Sequence, residues 1–189
     1  MNFNFADERP ADADAIIFAI NTDGLNDFEL KLEQAETVKA AAKAARFDGK
    51  PGEVFEIFVT EAGNVLRVVL TGLGKGKAKD AETAGGSAIA KILASGAKHV
   101  AVDPSGLNKE HLARLLFGAK LRSWRHDKYR TTIPEKQKVT LTKITVLDQD
   151  METAKAWQDL SAVADGVALT RELVAEPANA IYPESFVAR

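Results

Sequence analysis

Apolar runs typical of β-strands occur at intervals along this chain. The continuous run Ala15–Ile20 (AIIFAI) predicts a strand buried on both faces, because a strand with only one covered face alternates apolar and polar residues. Glu61-Ala62-Gly63-Asn64 lies between two β-rich runs and predicts a hairpin loop. The predicted strands are, in chain order, Ala15–Ile20, Val54–Thr60, Val65–Leu70, Lys98–Val102 and Val139–Leu147.

Helical patterns separate most of these strands. The predicted helices are Glu29–Phe47, Asp80–Ser95 ending at Gly96, a helix capped by Asn108 and running to about Arg122, and a long helix capped by Asp150 and ending near Glu176 before Pro177. Gly85-Gly86 inside the second helix is compatible with a helix only if another element packs closely there. Strands that alternate with helices predict an α/β layered domain.

The last predicted helix differs from the others. Its apolar positions Trp157, Leu160, Ala164 and Val167 repeat at helical spacing and predict a packing face. We predict a domain over residues 1–148, and a connector helix with the start of a further domain over residues 149–189.

Composition excludes several classes of protein. The chain has 189 residues and a net charge of -2, which argues against a general polyanion binder. It has no cysteine, and therefore no disulfide, thiolate metal site or thiol nucleophile. The N-terminal MNFNFADERP lacks the apolar segment of a signal peptide, and no apolar run is long enough to cross a bilayer. We expect a cytoplasmic protein with no membrane partner.

A glycine and lysine segment between a predicted strand and helix is the first candidate site. Gly72, Gly74 and Gly76 interleave with lysines, and glycines before a helix N-terminus suit a phosphate. A dinucleotide fingerprint that starts at Gly72 would need glycine where Lys77 stands, and a P-loop would need Ser or Thr where Ala78 stands. We therefore favour a tight turn with solvated lysines over a cofactor site.

A basic run with interleaved aromatic residues is the second candidate. Trp124 and Tyr129 lie within it, and such a pattern is compatible with nucleic-acid binding. A basic helix end with two packed rings explains it equally well, and the near-neutral chain favours that interpretation. The basic residues are Lys120, Arg122, Arg125, His126, Lys128 and Arg130.

No pattern in the chain predicts a catalytic or metal-binding residue. The histidines His99, His111 and His126 are scattered, and no two have the spacing of a helical zinc site. Ser87 and Ser105 lack the sequence of a nucleophile elbow.

The closing segment Thr170–Asn179 (TRELVAEPAN), followed by Tyr182-Pro183-Glu184, resembles the junction segment of the leucyl aminopeptidase (cytosol aminopeptidase) family. The family pattern runs roughly Ala-Arg-Asp-Leu-Val-Asn-Glu-Pro-Ala-Asn, with Pro-Glu shortly after. Thr170, Glu172 and Ala175 depart from it.

Two further segments support the resemblance. TGLGKGK is similar to the Gly-Leu-Gly segment of the family. Ser123–Arg130 (SWRHDKYR) resembles its Tyr-x-Phe-Asp-x-Tyr-Lys stretch and matches at Asp127 and Tyr129. Trp124, His126 and Arg130 depart from that pattern.

The resemblance implies a three-layer, macro-domain-like mixed sheet flanked by helices, and then a long connector helix. In the family a C-terminal catalytic domain follows, with two divalent metals, Mn or Zn, held partly by an Asn-Thr-Asp-Ala-Glu-Gly-Arg-Leu motif. This chain lacks that motif, since Asn21-Thr22-Asp23-Gly24 shares only its first three letters. We therefore expect no catalytic residue, metal ligand or cofactor in this chain, and no peptidase activity from it alone.

The function implied is that of a non-catalytic N-terminal domain of a two-metal enzyme that removes N-terminal residues from peptides. Its implied partners are its own catalytic domain and further copies in a hexamer that encloses the active sites, with peptides as substrates. The alternative is a binding module. That module would hold an ADP-ribose-like nucleotide at Gly72, Gly74 and Gly76, or DNA at the basic run; DNA is a possible partner but not the expected one.

Overall fold

Six strands build one mixed sheet in the computed structural model, which describes residues 1–148 and 150–188. The strands are β1 (Asn2–Phe5), β2 (Ala15–Asn21), β3 (Val54–Glu61), β4 (Asn64–Gly74), β5 (His99–Val102) and β6 (Lys143–Val146). Their spatial order is β1-β6-β5-β2-β4-β3, and every neighbouring pair is parallel except the antiparallel β3–β4 hairpin. The mixed sheet confirms the predicted fold class.

Strand β2 lies between β5 and β4, and its residues Ala15–Ile20 are all buried, as the continuous apolar run predicted. The predicted hairpin loop is also confirmed. Ala62 and Gly63 both have positive φ, at 49° and 77°, which is the conformation of a two-residue turn between twisted strands.

Helices cover both faces of the sheet and make the predicted three layers. They are α1 (Ala35–Ala44), α2 (Ala78–Ile92), α3 (Lys109–Ser123), α4 (Met151–Ala175) and α5 (Pro183–Val187). One buried cluster joins α1 to one face through Val38 and Ala42. The other cluster joins α2 and α3 to the opposite face and includes Trp157 of α4.

Several boundaries differ from the prediction; among them, β4 continues through Gly72 to Gly74, beyond the predicted end at Leu70. The first helix begins at Ala35 and not at Glu29, because Leu30 is buried under the sheet in a non-helical segment. Helix α2 ends at Ile92, three residues before the predicted end. The strand predicted over Val139–Leu147 is limited to β6, because the N–H groups of Thr140 and Leu141 donate to Leu93 O before the strand begins.

The glycine pair inside α2 marks a close helix crossing. A Cβ atom on Gly85 would lie 1.9 Å from Leu115 O, and one on Gly118 would lie 1.9 Å from Glu82 O. Each helix therefore needs glycine where it meets the backbone of the other. Gly86 has no such neighbour, since a Cβ there would lie 3.7 Å from Gly118 O.

Helix α4 is capped and packed at its start and exposes apolar side chains further along. Asp150 accepts from the Glu152 N–H at 2.8 Å, which confirms the predicted cap. The Trp157 ring packs 4.7 Å from the Phe3 ring, between centroids, and Ala164 is buried. Val163 and Val174 are 55% and 81% exposed. No helix in the described part of the chain combines the length and apolarity needed to span a membrane.

Candidate functional sites: a sheet-edge groove and a junction cluster

A groove of about 540 Å³ lies at the carboxyl ends of β2 and β4. Its walls come from three loops, the ones that follow β2, β4 and β5. In open α/β sheets, ligands bind outside the carboxyl ends of strands, which makes this groove a candidate site. The lining residues are Asn21, Thr22, Asp23, Gly74, Lys75, Gly76, Gly106, Asn108 and His111.

The three glycines of the alternative cofactor site use their backbone N–H groups inside the protein. Gly72 N–H donates to Glu53 O at 2.9 Å, Gly74 N–H to Gly49 O at 2.9 Å, and Gly76 N–H to Leu73 O at 3.0 Å. A phosphate cradle requires N–H groups that point at the ligand. In this arrangement, a ligand in the groove would have to bind through other groups.

Packing of the 49–51 loop explains why two of these positions are glycine. A Cβ atom on Gly72 would lie 1.9 Å from Lys50 O. Gly74 has a φ of 61°, and a Cβ there would lie 2.4 Å from Pro51 Cγ. Gly74 and Gly76 line the groove, whereas Gly72 lies behind it against the loop.

The second region joins the loop after α3 to the end of α4. We call it the junction cluster and define it as Trp124, His126, Tyr129, Arg171 and Glu176. Arg171 Nη1 donates to Leu121 O at 2.7 Å, and its guanidinium lies 5.7 Å from the centre of the Trp124 ring. The His126 ring lies 6.1 Å from the Trp124 ring and 5.7 Å from the Tyr129 ring, between centroids.

Glu176 is the electrostatic centre of the cluster. Its side chain is 4% exposed, and its two oxygens accept from Lys128 Nζ at 2.9 Å and from the Tyr129 hydroxyl. The hydrogen bond to Glu176 raises the pKa of Lys128 above its ordinary value, which keeps the ammonium charged. A buried carboxylate with two donors holds the end of α4 against the loop after α3.

Most of the basic run is paired within the protein. Lys120 Nζ lies 2.7 Å from Asp165 Oδ1, and Lys128 is paired with Glu176. Asp127 lies between Arg125 and Arg130, at 3.1 and 3.3 Å. Burial alone would raise the pKa of Asp127, but the hydrogen bonds and charges of the two arginines outweigh burial and lower it. The basic run is therefore a packed helix end and loop. This is the interpretation that the near-neutral charge of the chain favoured.

Sequence reasoning did not predict that two of the resembling segments meet. Lys128 and Tyr129 belong to SWRHDKYR, and Glu176 belongs to TRELVAEPAN, 47 residues further along the chain from Tyr129. The signal was available in the resemblance, since Tyr129 and Glu176 both match the family patterns. The residues alone could not predict that α4 packs on α3, which brings Tyr129 and Glu176 together.

The histidines lie apart from one another. His99 is buried, and its Nε2 is 2.8 Å from Thr145 Oγ1 inside the sheet. His111 lines the groove, and His126 belongs to the junction cluster. Within residues 1–148 and 150–188, no group of three or more His, Asp or Glu side chains is placed to hold a metal ion. These residues do not fit the two-metal centre that the resemblance implies, and no catalytic step is assigned to them.

Comparison with known proteins gives consistent results. The profile of the cytosol aminopeptidase family, N-terminal domain, matches residues 20–132. A probable cytosol aminopeptidase of Afipia carboxidovorans is 39% identical over 161 residues, which are 82% of this chain and 32% of that protein. One of Caulobacter vibrioides is 36% identical over 154 residues, covering 79% of this chain and 31% of that protein. The chain thus spans about a third of the length of these curated relatives.

Solved structures show the same fold. A mutant of tomato leucine aminopeptidase superposes with a TM-score of 0.77 at 22% identity, covering 100% of this chain and 41% of that one. The bottromycin maturation enzyme BotP in complex with Mn superposes with a TM-score of 0.70 at 23% identity, covering 94% and 35%. The profile match, the relatives and the shared fold agree, and the chain belongs to the cytosol aminopeptidase family as its N-terminal domain.

Proposed function

We propose that this chain is the non-catalytic N-terminal domain of a two-metal leucyl aminopeptidase, and that it serves in oligomer assembly and in enclosing the active site. The full-length protein would remove N-terminal residues from peptides in the cytoplasm. The names of the relatives, cytosol aminopeptidases, support this activity for the whole protein. A Mn complex among the structural neighbours supports a divalent metal in it, Mn or Zn, held by the downstream domain.

The observation that carries the proposal is the set of exposed apolar residues on α4 and α5. Val163 and Leu169 of α4 are each more than half exposed, and Val174 is 81% exposed. Phe186 and Val187 of α5 are 56% and 85% exposed. Exposed apolar residues gathered on the last two helices are typical of an interaction surface. We propose the chain's own catalytic domain as the partner that covers them, and a hexamer as the assembly.

The junction cluster supports the same role. It fixes the end of α4 through Glu176, at the position where the connector continues into the next segment. A fixed exit direction places a following domain in one orientation, and such preorganisation lowers the entropy cost of the contact between the two. The proposed contribution of this chain to catalysis is therefore positional.

Activity measurements test the proposal. We expect the 189-residue chain to leave leucine p-nitroanilide uncleaved after addition of Mn²⁺ or Zn²⁺. A chain extended by its downstream domain is expected to cleave it and to elute as a hexamer in size-exclusion chromatography with light scattering. Cleavage by the 189-residue chain would contradict the proposal, and so would a monomeric, active extended chain.

The binding-module alternative rests on the groove. The groove offers Lys75 and His111 beside the amide of Asn21, and these groups suit an ADP-ribose-like nucleotide. Titration calorimetry with ADP-ribose, with Lys75→Met as the matched variant, decides this alternative. Titration with duplex DNA across salt concentrations decides the DNA version, which requires an affinity that falls steeply with salt.

A further inference from the structure

A second cavity lies between the C-terminal half of α3, the C-terminal half of α4 and the segment before β6. Its volume is about 320 Å³. Val139, Leu141, Ala164 and Ala168 form an apolar part of its wall, with Leu141 and Ala164 almost fully buried. Cavities of this size with a mainly apolar wall and a few polar groups are the usual form of a small-molecule site.

Charged side chains also line this cavity. Lys120 and Arg171 line it together with one acid, Asp165. Lys120 Nζ is 2.7 Å from Asp165 Oδ1, so these two charges offset each other. Arg171 uses one of its five N–H donors on Leu121 O, and guanidinium is the group that binds carboxylates with two parallel hydrogen bonds. The local charge therefore favours an anion.

An unsatisfied donor adds an independent observation. Trp124 lines the cavity, and its indole Nε1–H is buried without a hydrogen-bond partner among the described residues. Buried donors without acceptors are rare and call for an explanation. This nitrogen is closed off from the cavity, but the Trp124 ring borders it, so the indole N–H signal reports on a carboxylate bound beside Arg171.

We propose that this cavity binds a small aliphatic carboxylate, with its hydrocarbon part against the alanines of α4 and its carboxylate beside Arg171. The chemistry is shared by a free branched-chain amino acid and by a simple branched acid. The proposed site is separate from the sheet-edge groove, since the two have no lining residue in common. It also stands apart from the proposed aminopeptidase role, and only the choice of leucine as one probe rests on that role.

The test uses three probes with the same carbon skeleton, 4-methylpentanoate, leucine and 4-methylpentanamide. They are titrated into the ¹⁵N-labelled 189-residue chain and followed by NMR. We expect 4-methylpentanoate to bind with a Kd on the order of 1 mM and to shift the Trp124 indole N–H signal. The Trp157 signal, assigned with Trp157→Phe, is expected to stay in place. The neutral amide is expected to bind at least tenfold more weakly, because it lacks the charge that Arg171 recognises. The leucine titration then distinguishes an amino-acid site from a site for simple acids.

A cavity-filling variant tests the location. Ala168→Phe fills the apolar wall and leaves Arg171, Lys120 and Trp124 in place, and we expect it to abolish binding. Ala162→Phe on the exposed side of α4 is the matched control and is expected to bind as the parent chain does. Equal binding of acid and amide, absence of any shift with 4-methylpentanoate, or unchanged binding by Ala168→Phe would each overturn the proposal.

Discussion

Two helix interfaces on the same side of the sheet are built in different ways. Helices α2 and α3 meet backbone to backbone, with Gly85 and Gly118 as the only residues that fit at their close approach. Helices α3 and α4 meet through long side chains, among them Lys120, Trp157 and Arg171. The first contact tolerates no added atom, whereas the second consists of side chains that can adjust.

The difference indicates what each interface is for. A backbone-close crossing belongs to the invariant core of a domain, since nothing in it can move without moving the helices. A side-chain interface with ion pairs at its rim can hold a helix in place and still accommodate a partner on its other side. The following changes test this distinction, from the largest expected effect to the smallest.

Trp157→Ala removes the residue that joins the start of α4 to the core. Trp157 is 7% exposed and packs against Phe3, so the variant leaves a large cavity. We expect a loss of about 4 kcal/mol in the free energy of unfolding, measured by urea denaturation. Val163→Ala on the exposed side of α4 is the control, with an expected change below about 0.5 kcal/mol. An equally small loss in both variants would show that α4 does not belong to the core at either position.

Gly85→Ala places a methyl group 1.9 Å from Leu115 O. Because both helices are held by the sheet, we expect them to separate at a cost of about 3 kcal/mol in the free energy of unfolding. The neighbouring Gly86→Ala meets nothing closer than 3.7 Å, and we expect it to stabilise the helix by up to about 1 kcal/mol. A neutral Gly85→Ala would refute the backbone-close crossing.

Asn108→Ala removes the cap of α3. The Asn108 side chain accepts from the His111 N–H at 2.8 Å, and its loss leaves that donor to water. We expect a loss of about 1 kcal/mol by thermal or urea denaturation. Asn108→Asp retains the acceptor and is expected to keep the stability of the parent chain. A loss of the same size in Asn108→Asp would contradict a capping role.

Lys128→Met breaks the pair with Glu176 and leaves that buried carboxylate with fewer donors. We expect the end of α4 to open locally, with faster cleavage by trypsin at Arg171 and little change in the global unfolding transition. Lys138→Met, in an exposed pair with Glu135, is the control and is expected to change neither quantity. Unchanged cleavage at Arg171 would mean that the junction cluster does not hold the end of the helix.

Low pH weakens the contribution of Asp150 to stability at the start of α4. The hydrogen bond from Lys109 lowers the pKa of Asp150 below its ordinary value. A carboxyl with a lowered folded-state pKa stabilises the protein above its unfolded pKa, near 4, and loses that contribution as the pH falls through the lower folded value. We expect the difference in Tm between the parent chain and Asp150→Asn to be constant above pH 5 and to shrink below about pH 4. A difference that does not change down to pH 2.5 would contradict the pairing.

Strong local signals made much of the fold predictable from the sequence. Ala15–Ile20 is apolar at every position, as a strand buried on both faces is, and Asn108 and Asp150 are strong caps before periodic segments. The predicted start of α1 was wrong. Residues Glu29–Gln34 include helix-forming types, but burial of Leu30 holds this segment in an irregular conformation. Strand β1 was missed although its residues, NFNF, alternate polar and apolar, because the alternation covers only four residues.

The candidate sites were less predictable, because they depend on contacts between distant segments. Gly72 and Gly74 precede a helix, as phosphate-binding glycines do, but the approach of the 49–51 loop determines why they are glycine. The pairing of Tyr129 with Glu176 required α4 to pack on α3, which no local pattern contains. Gly85 was the exception, since a glycine pair inside a helix already predicted close packing.

Amide hydrogen exchange along α4 in the 189-residue chain tests the central claim most directly. The account predicts strong protection around Trp157, close to that of α2, and lower protection around Val174, which falls at least tenfold further in Lys128→Met because the junction cluster holds that end of the helix. Uniform protection along α4 equal to that of α2 would contradict it, because the whole helix would then belong to the core. Equally weak protection along all of α4 would contradict it as well, since the Trp157 anchor would then not hold.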